Sequence, residues 1–247
     1  MALETSPSVP ADSDPRTLPV HLFDMDGVIT PTAIVHMRAW EQMFSEELAR
    51  RGVAEPYTEQ DYFTYVDGRP RYDGVRAFLA SRGIELPEGE PTDPAAAETV
   101  CGLGNRKNEL VLAMIREQGV APYPGTVAYL DALGAQARCA VVSSSRNAEE
   151  VLAGAGLADR FEIVVDGNVA AALGLPGKPA PDTFVHAARE LGASPEQAVV
   201  YEDAVSGVRA GAAGGFGAVV GVDRGAGADA LREAGASIVV ADLEELA

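Results

Sequence analysis

Two aspartates, Asp24 and Asp26, stand two positions apart in the stretch HLFDMDGVIT, directly after a short apolar run and directly before a glycine. Residues i and i+2 of an extended chain point to the same side, so both carboxylates can face one substrate atom. A carboxylate is a competent nucleophile for phosphoryl transfer through an aspartyl-phosphate, and a second one nearby can give the leaving oxygen its proton. Such a pair also repels itself. With Glu202 and Asp203 of YEDAVSG added, either pKa values rise or a cation joins the group, and Mg²⁺ suits an all-oxygen site with room for substrate phosphate. Glu202 and Asp203 are adjacent, so they are expected to point to opposite sides, with at most one touching the metal directly. Positive charge and hydroxyl donors for the phosphoryl oxygens are available from Lys178 and from Ser143 of VVSSSRN.

Lysine is rare here. The chain has 17 arginines and 2 lysines, Lys107 and Lys178. A retained Lys marks either a position that suits a compact ammonium or an accident of codon usage, and composition leaves both open. Two competing motifs fail on position. DMDG could begin a calcium loop, but Val28, Ile29 and Val35 stand where that loop needs oxygen donors and glycine. GAAGGFG precedes an apolar run, whereas a dinucleotide fingerprint follows a strand and opens a helix.

The elements that must position these residues follow from the apolar pattern. VHLF (20–23), CAVV (139–142), IVV (163–165), AVVY (198–201), AVVGV (218–222) and SIVV (237–240) are continuous apolar runs suited to parallel strands buried on both faces. GTVAYLDALG, NAEEVLAGAGL, DTFVHAARELG and DALREAG show helical spacing between them. Alternation of this kind predicts an α/β fold with a doubly wound parallel sheet, whose ligands gather at the carboxyl ends of the strands. Asp24 and Asp26, Ser143 to Ser145, and Glu202 and Asp203 each follow one run, and a loop after the third carries Lys178.

Residues 33–120 break the rhythm. Ala33, Met37, Trp40, Phe44 and Leu48 form a helical stripe ending near Gly52, Val75, Phe78 and Leu79 a second ending near Gly83, and Val111, Met114 and Ile115 a third. The division expected is a disordered tail over 1–18, a core over 19–32 and 121–247, and a helical insertion over 33–120.

Composition sets further bounds. The 37 acidic and 19 basic residues give a net charge of −18, which argues against nucleic acid or an anionic membrane as partner. Cys101 and Cys139 show no CxxC spacing, and the opening MALETSPSVPADSDPRTLP has no apolar signal core. A reduced, cytoplasmic protein is expected.

FDMDGVIT, VVSSSRN, GKPAPD and YEDAVSG, in this order with a helical insertion after the first, resemble the four motifs of the haloacid dehalogenase superfamily of phosphotransferases. The resemblance implies Asp24 as nucleophile and Asp26 as general acid and base with its backbone carbonyl on Mg²⁺. It implies Ser143 and Lys178 on the phosphoryl group, and Asp203 as metal ligand with Glu202 close by. Within the superfamily the chain is most similar to the β-phosphoglucomutase group from about residue 19 onward, through Thr32 to Trp40 (TAIVHMRAW), Gly68 to Arg71 (GRPR) and Arg106 to Asn108 (RKN). This likeness implies that Thr32, His36, Lys107 and Asn108 link cap closure to the acid-base aspartate. It also implies that Arg71, with Ser145, Arg146 and Asn147, grips a non-reacting phosphate. Mg²⁺, glucose 1,6-bisphosphate as activator, a small phosphorylated sugar as partner and a monomeric state follow as expectations.

Pro31, Ala204 and a long segment over 53–67 depart from the pattern and leave the sugar open. Asn147, three residues before Glu150, fits a helix cap as well as a substrate contact. A phosphatase of the same fold would use the same core motifs. A phospho-accepting signalling module would need neither a cap nor Asp26, and carboxylate displacement of halide would need neither Mg²⁺ nor Asp26.

Overall fold

The computed structural model describes residues 14–247. Six strands form one parallel sheet: β1 (Val20–Phe23), β2 (Arg138–Val142), β3 (Ile163–Val165), β4 (Ala198–Glu202), β5 (Ala218–Val222) and β6 (Ile238–Val240), in the spatial order β3-β2-β1-β4-β5-β6. The chain winds outward in one direction from β1 and then in the other from β4, so the strand order reverses beside β1, where a crevice opens at the carboxyl edge.

β1, β4 and β5 are buried throughout. Their apolar runs lack alternation because helices cover both faces. Phe23, Tyr129, Val141, Val151 and Tyr201 pack on one face, and Leu22, Ala140, Phe184 and Val200 on the other.

The covering helices are α5 (Pro124–Leu133), α6 (Ala148–Gly154), α7 (Gly167–Leu173), α8 (Asp182–Glu190), α9 (Val205–Ala213) and α10 (Ala228–Ala234). Two of these carry too little pattern to be read in advance. α7 is mostly small residues, started by the Asp166 carboxylate accepting the N–H groups of Asn168 and Val169; it stands between β3 and Lys178, where a loop alone was expected. In α9, Gly207 and Gly211 interrupt the apolar stripe.

Between β1 and β2 the chain builds a helical cap with a core of its own. α1 (Thr32–Arg51) ends at Gly52 in the left-handed conformation. α2 (Glu59–Asp61) runs into a π-helical turn, Tyr62–Val66, and α3 (Arg71–Ser81) and α4 (Val100–Gln118) complete the unit. Trp40, Phe44, Tyr57, Phe78 and Leu103 fill it, the Phe44 and Phe78 rings lying 4.0 Å apart. Each such side chain contributes about 1.5–3 kcal/mol on burial. α4 begins well before the stripe at Val111, because the Thr99 hydroxyl caps it by accepting the Gly102 N–H.

The tail expected over 1–18 falls largely on residues 1–13, outside the described residues; Pro15–Thr17 form a short 3-10 turn. Among the described residues no helix is long and apolar enough to cross a membrane.

Candidate active site

Asp24 is the first residue beyond β1, and its N–H still donates to the Tyr201 carbonyl of β4 at 2.9 Å. The sheet ladder therefore places this carboxylate. Asp26 follows in a tight loop closed by the Gly27 N–H donating to the Thr30 carbonyl at 2.8 Å. Gly27 has φ +91°, and a Cβ there would lie 1.8 Å from Oδ2 of Asp203. Glycine thus makes the turn and also leaves room for the carboxylate arriving from β4. Gly207 does the same for Glu202, whose Oε1 would lie 1.8 Å from a Cβ.

Lys178 enters from the loop between α7 and α8. Its ammonium donates to both Asp24 and Glu202, and to the Val142 carbonyl at 3.2 Å. The second oxygen of Glu202 accepts the Ala204 N–H at 3.0 Å. Glu202 and Asp203 do not diverge as continued strand alternation would require. β4 ends at Glu202, the chain turns, and Asp24, Glu202 and Asp203 each offer an oxygen within 4.8 Å of the others.

Burial pushes the Asp24 carboxyl well above the usual range, against the opposing pull of Lys178 and with help from Glu202 and Asp26. Asp203 is raised by burial first, then by Asp67, Glu202, Asp24 and Asp26. For Lys178 burial works against the charge, and Asp24 with Glu202 overcomes it, holding the ammonium above its ordinary value. Three buried carboxylates facing one ammonium leave an excess of negative charge. An all-oxygen donor set with that excess fits a divalent cation such as Mg²⁺.

The cap supplies the opposite wall. The Thr32 hydroxyl donates to Oδ1 of Asp26 at 2.5 Å and also bonds the Thr30 hydroxyl at 2.7 Å. Nε2 of His36 lies 3.7 Å from the same Asp26 oxygen, and its Nδ1 lies 2.7 Å from Nζ of Lys107. Lys107 also sits over the Trp40 ring, 4.8 Å from its centre. Burial, with Arg71 nearby, brings Lys107 down to about 7. Burial and the Lys107 charge bring His36 down to about 4, so its ring is neutral at physiological pH.

A second polar group spans cap and core. Arg71 donates to Asn108 at 2.6 Å, and the Asn147 amide donates to the same Asn108 oxygen at 2.9 Å. Asn147 makes no side-chain cap bond on α6, so of its two sequence roles the structure realises the contact toward the cap. The Arg146 guanidinium lies 5.6 Å from the centre of the Tyr72 ring. Ser144 and Ser145 line the cavity, whereas Ser143 is buried beside them, its Oγ accepting the Ser145 N–H at 3.0 Å.

The cavity enclosed by Asp24, Asp26, Asp203, His36, Lys107 and Arg71 measures about 60 Å³. Ligand pockets for small organic molecules are several times larger. Asp67 and Tyr62 also line this cavity and belong to none of the sequence motifs. Their signal was present in the glycine of VDGRP: Gly68 has φ +66°, and a Cβ there would lie 2.2 Å from the Ser206 hydroxyl, marking a close approach of cap to core.

A family model described as haloacid dehalogenase-like hydrolase matches residues 20–215. A protein from Mycobacterium bovis named beta-phosphoglucomutase is 50% identical over 245 residues, covering 94% of this chain and 92% of that one. Fructose-1-phosphate phosphatase YqaB of Escherichia coli K12 is 34% identical over 200 residues, 80% of this chain and 93% of its own. Among solved structures, beta-phosphoglucomutase from Clostridium difficile shares the fold with a TM-score of 0.75 at 24% identity, over 93% of both chains. With its acidic pair at the end of β1, its lysine bridging two strand ends and a helical cap closed over them, the chain belongs to the haloacid dehalogenase-like hydrolase family.

Proposed function

We propose that the chain is a β-phosphoglucomutase, a Mg²⁺-dependent phosphotransferase that converts β-glucose 1-phosphate to glucose 6-phosphate through a phosphorylated Asp24. The observation that carries this reading is the pairing of two anion seats in one closed site. Lys178 stands at Asp24, and Arg71 with Asn108 and Asn147 forms a second polar group across the cap boundary. A sugar bisphosphate needs both seats, whereas hydrolysis of a monoester needs one. The name of the 50% identical M. bovis relative supports the same reading.

In the first half-reaction the sugar takes a phosphoryl group from Asp24. Asp26 removes the proton from the attacking sugar hydroxyl while the bond between phosphorus and the Asp24 oxygen breaks, giving the bisphosphate. In the second, the bisphosphate presents its other phosphoryl group, the Asp24 carboxylate attacks phosphorus in line, and Asp26 returns the proton to the departing sugar oxygen. Lys178 and Ser143 stabilise charge on the phosphoryl oxygens. Thr32 and His36 hold Asp26 for proton transfer only when the cap is closed, and closure excludes water, so the acceptor is the sugar. Asp24, Asp203 and the Asp26 backbone carbonyl, with Glu202 close by, would hold Mg²⁺, which supplies positive charge against the phosphoryl oxygens. Glucose 1,6-bisphosphate would serve as activator by phosphorylating Asp24 at the start. The enzyme would act in the cytoplasm as a monomer.

The test supplies β-glucose 1-phosphate, Mg²⁺ and a trace of glucose 1,6-bisphosphate, and follows glucose 6-phosphate and free phosphate together. Glucose 6-phosphate should form without matching phosphate release, and chelation should stop it. Free phosphate alone would instead support a sugar-phosphate phosphatase, the reading favoured by the likeness to the E. coli enzyme.

A further inference from the structure

We propose that Trp40 is a positioning residue: the face of its indole keeps Lys107 an ammonium, and that ammonium fixes the proton of His36 on the nitrogen turned toward Asp26. The assignment rests on the acid-base role given to Asp26 in the mutase reading.

Thr32, His36 and Trp40 follow one another at four-residue spacing on α1, so they share one face of the helix. Trp40 is buried, lines the cavity with His36, and stacks on Phe44 with ring centres 5.2 Å apart. The indole is thus held from behind. Lys107 arrives from α4 and meets both residues at once, its Nζ lying 2.7 Å from Nδ1 of His36 and 4.8 Å from the centre of the Trp40 ring.

The two buried lysines differ in what balances their charge. Lys178 bonds two carboxylates, whereas Lys107 has no carboxylate partner among the described residues. The charged groups that face it are Arg71 from α3, which together with burial pushes its pKa down, and Asp26 from the core, which pulls it back. His36 from α1 is neutral at physiological pH. A buried ammonium so placed needs a further attraction, and the negative face of an indole supplies it.

The consequence reaches Asp26 through hydrogen-bond roles. An ammonium only donates, so Nδ1 of His36 must accept, and the ring proton stays on Nε2, 3.7 Å from Oδ1 of Asp26. A neutral amine could accept from Nδ1–H instead. The ring would then turn a bare lone pair toward the carboxylate. Trp40 thereby decides which tautomer Asp26 meets.

The chain holds 1 tryptophan and 2 lysines, so feeding fluorinated tryptophans alters this ring alone, and isotope-labelled lysine gives two side-chain NMR signals, with Lys178 as internal reference. Fluorination withdraws charge from the ring face with little change of shape, and thermal unfolding checks that each protein folds. As fluorine is added, the Lys107 signal should titrate at progressively lower pH, by about one pH unit or more for the fully fluorinated ring. The Lys178 signal should not respond. Relative to the unfluorinated enzyme, kcat/KM for β-glucose 1-phosphate should be unchanged at acid pH and lower by about tenfold on the alkaline side. A Lys107 titration indifferent to fluorine would overturn the assignment, as would a shifted titration with an unshifted rate profile. A wild type that releases phosphate from β-glucose 1-phosphate and forms no glucose 6-phosphate would overturn the mutase reading alone. The same rate profile, followed in released phosphate, would then decide the assignment.

Discussion

The core and the cap contribute to one site by different means. On the core side, Asp24, Ser143 and Glu202 stand at or just beyond the ends of β1, β2 and β4, and Lys178 is bonded to two of the three. Their positions are consequences of the hydrogen-bond ladder. On the cap side, Thr32, His36, Arg71 and Lys107 ride on helices with a separate aromatic core. They reach the sheet edge through a few contacts: Thr32 to Asp26, Asn108 to Asn147, and the carbonyls of Asp67 and Gly68 to Ser206 and Ser144. The difference teaches a division of labour. On the proposed reading, the groups assigned to the phosphorus bond are fixed by the sheet, and those assigned to substrate choice and proton transfer sit on a unit with a core of its own.

The largest expected effect falls on the fixed side. Asp24→Asn removes the proposed nucleophile and should lower turnover by about 10⁴-fold or more, with the fold retained. Labelling by acetyl phosphate should vanish with it. Survival of labelling would move the nucleophile elsewhere and break the comparison at its root.

Arg71→Ala tests the movable side. Its guanidinium belongs to the proposed distal seat, so mutase turnover should fall by about 10²- to 10³-fold. Hydrolysis of acetyl phosphate, which has no second phosphate, should fall far less. Equal losses on both would mean that Arg71 supports the fold rather than the substrate.

These two halves were also unequally legible in the sequence. All six strands could be placed to within a residue because buried parallel strands leave continuous Val- and Ile-rich runs. The core residues followed, since strand ends carry them. α7 and α9 were not read, because Ala- and Gly-rich helices show little periodic contrast. On the cap, motif likeness singled out His36 and Lys107, whose mutual contact joins residues 71 positions apart and leaves no spacing signal. Asp67 was missed outright. Its relevance comes from the cap docking on Ser206, a tertiary contact, and only the neighbouring glycine hinted at it. The expected divergence of Glu202 and Asp203 failed because alternation lapses where the strand ends.

An effect of intermediate size probes how firmly the core is held. His21 on β1 is buried, its Nδ1 sharing a hydrogen bond with the Tyr201 hydroxyl at 2.8 Å, and Tyr201 in turn bonds Tyr129 at 2.6 Å. Burial lowers the His21 pKa from 6.5 to about 4. The unfolded chain therefore binds a proton between about pH 6.5 and 4 that the folded chain refuses, and stability falls as the pH drops through that window. The loss from this residue is about 3 kcal/mol and levels off below pH 4. The raised carboxyls of the site act in the opposite sense, so the measurement is a difference. Urea unfolding across this window should be less acid-sensitive in His21→Gln than in the wild type. Equal slopes would show that the ring is not held neutral.

The smallest expected effect lies at the boundary between the two halves. Gly68 has φ +66°, and a Cβ there would meet the Ser206 hydroxyl at 2.2 Å and the Ala204 Cβ at 2.9 Å. Gly68→Ala combines about 1 kcal/mol of backbone strain with a clash that exists only when the cap is down. The cap and core should each fold as before, while closure is disfavoured and kcat/KM for β-glucose 1-phosphate falls by about tenfold. Adding Ser206→Ala removes the tighter of the two contacts, since Cβ of residue 206 is 3.6 Å away, but also removes the bond to the Asp67 carbonyl. Ser206→Ala alone should therefore lower kcat/KM slightly, and the same change on a Gly68→Ala background should raise it. That reversal of sign requires a shared closed state. Additive losses would mean that the loop does not dock on α9 during turnover, and the cap would then have to act on Asp26 through Thr32 and His36 without it.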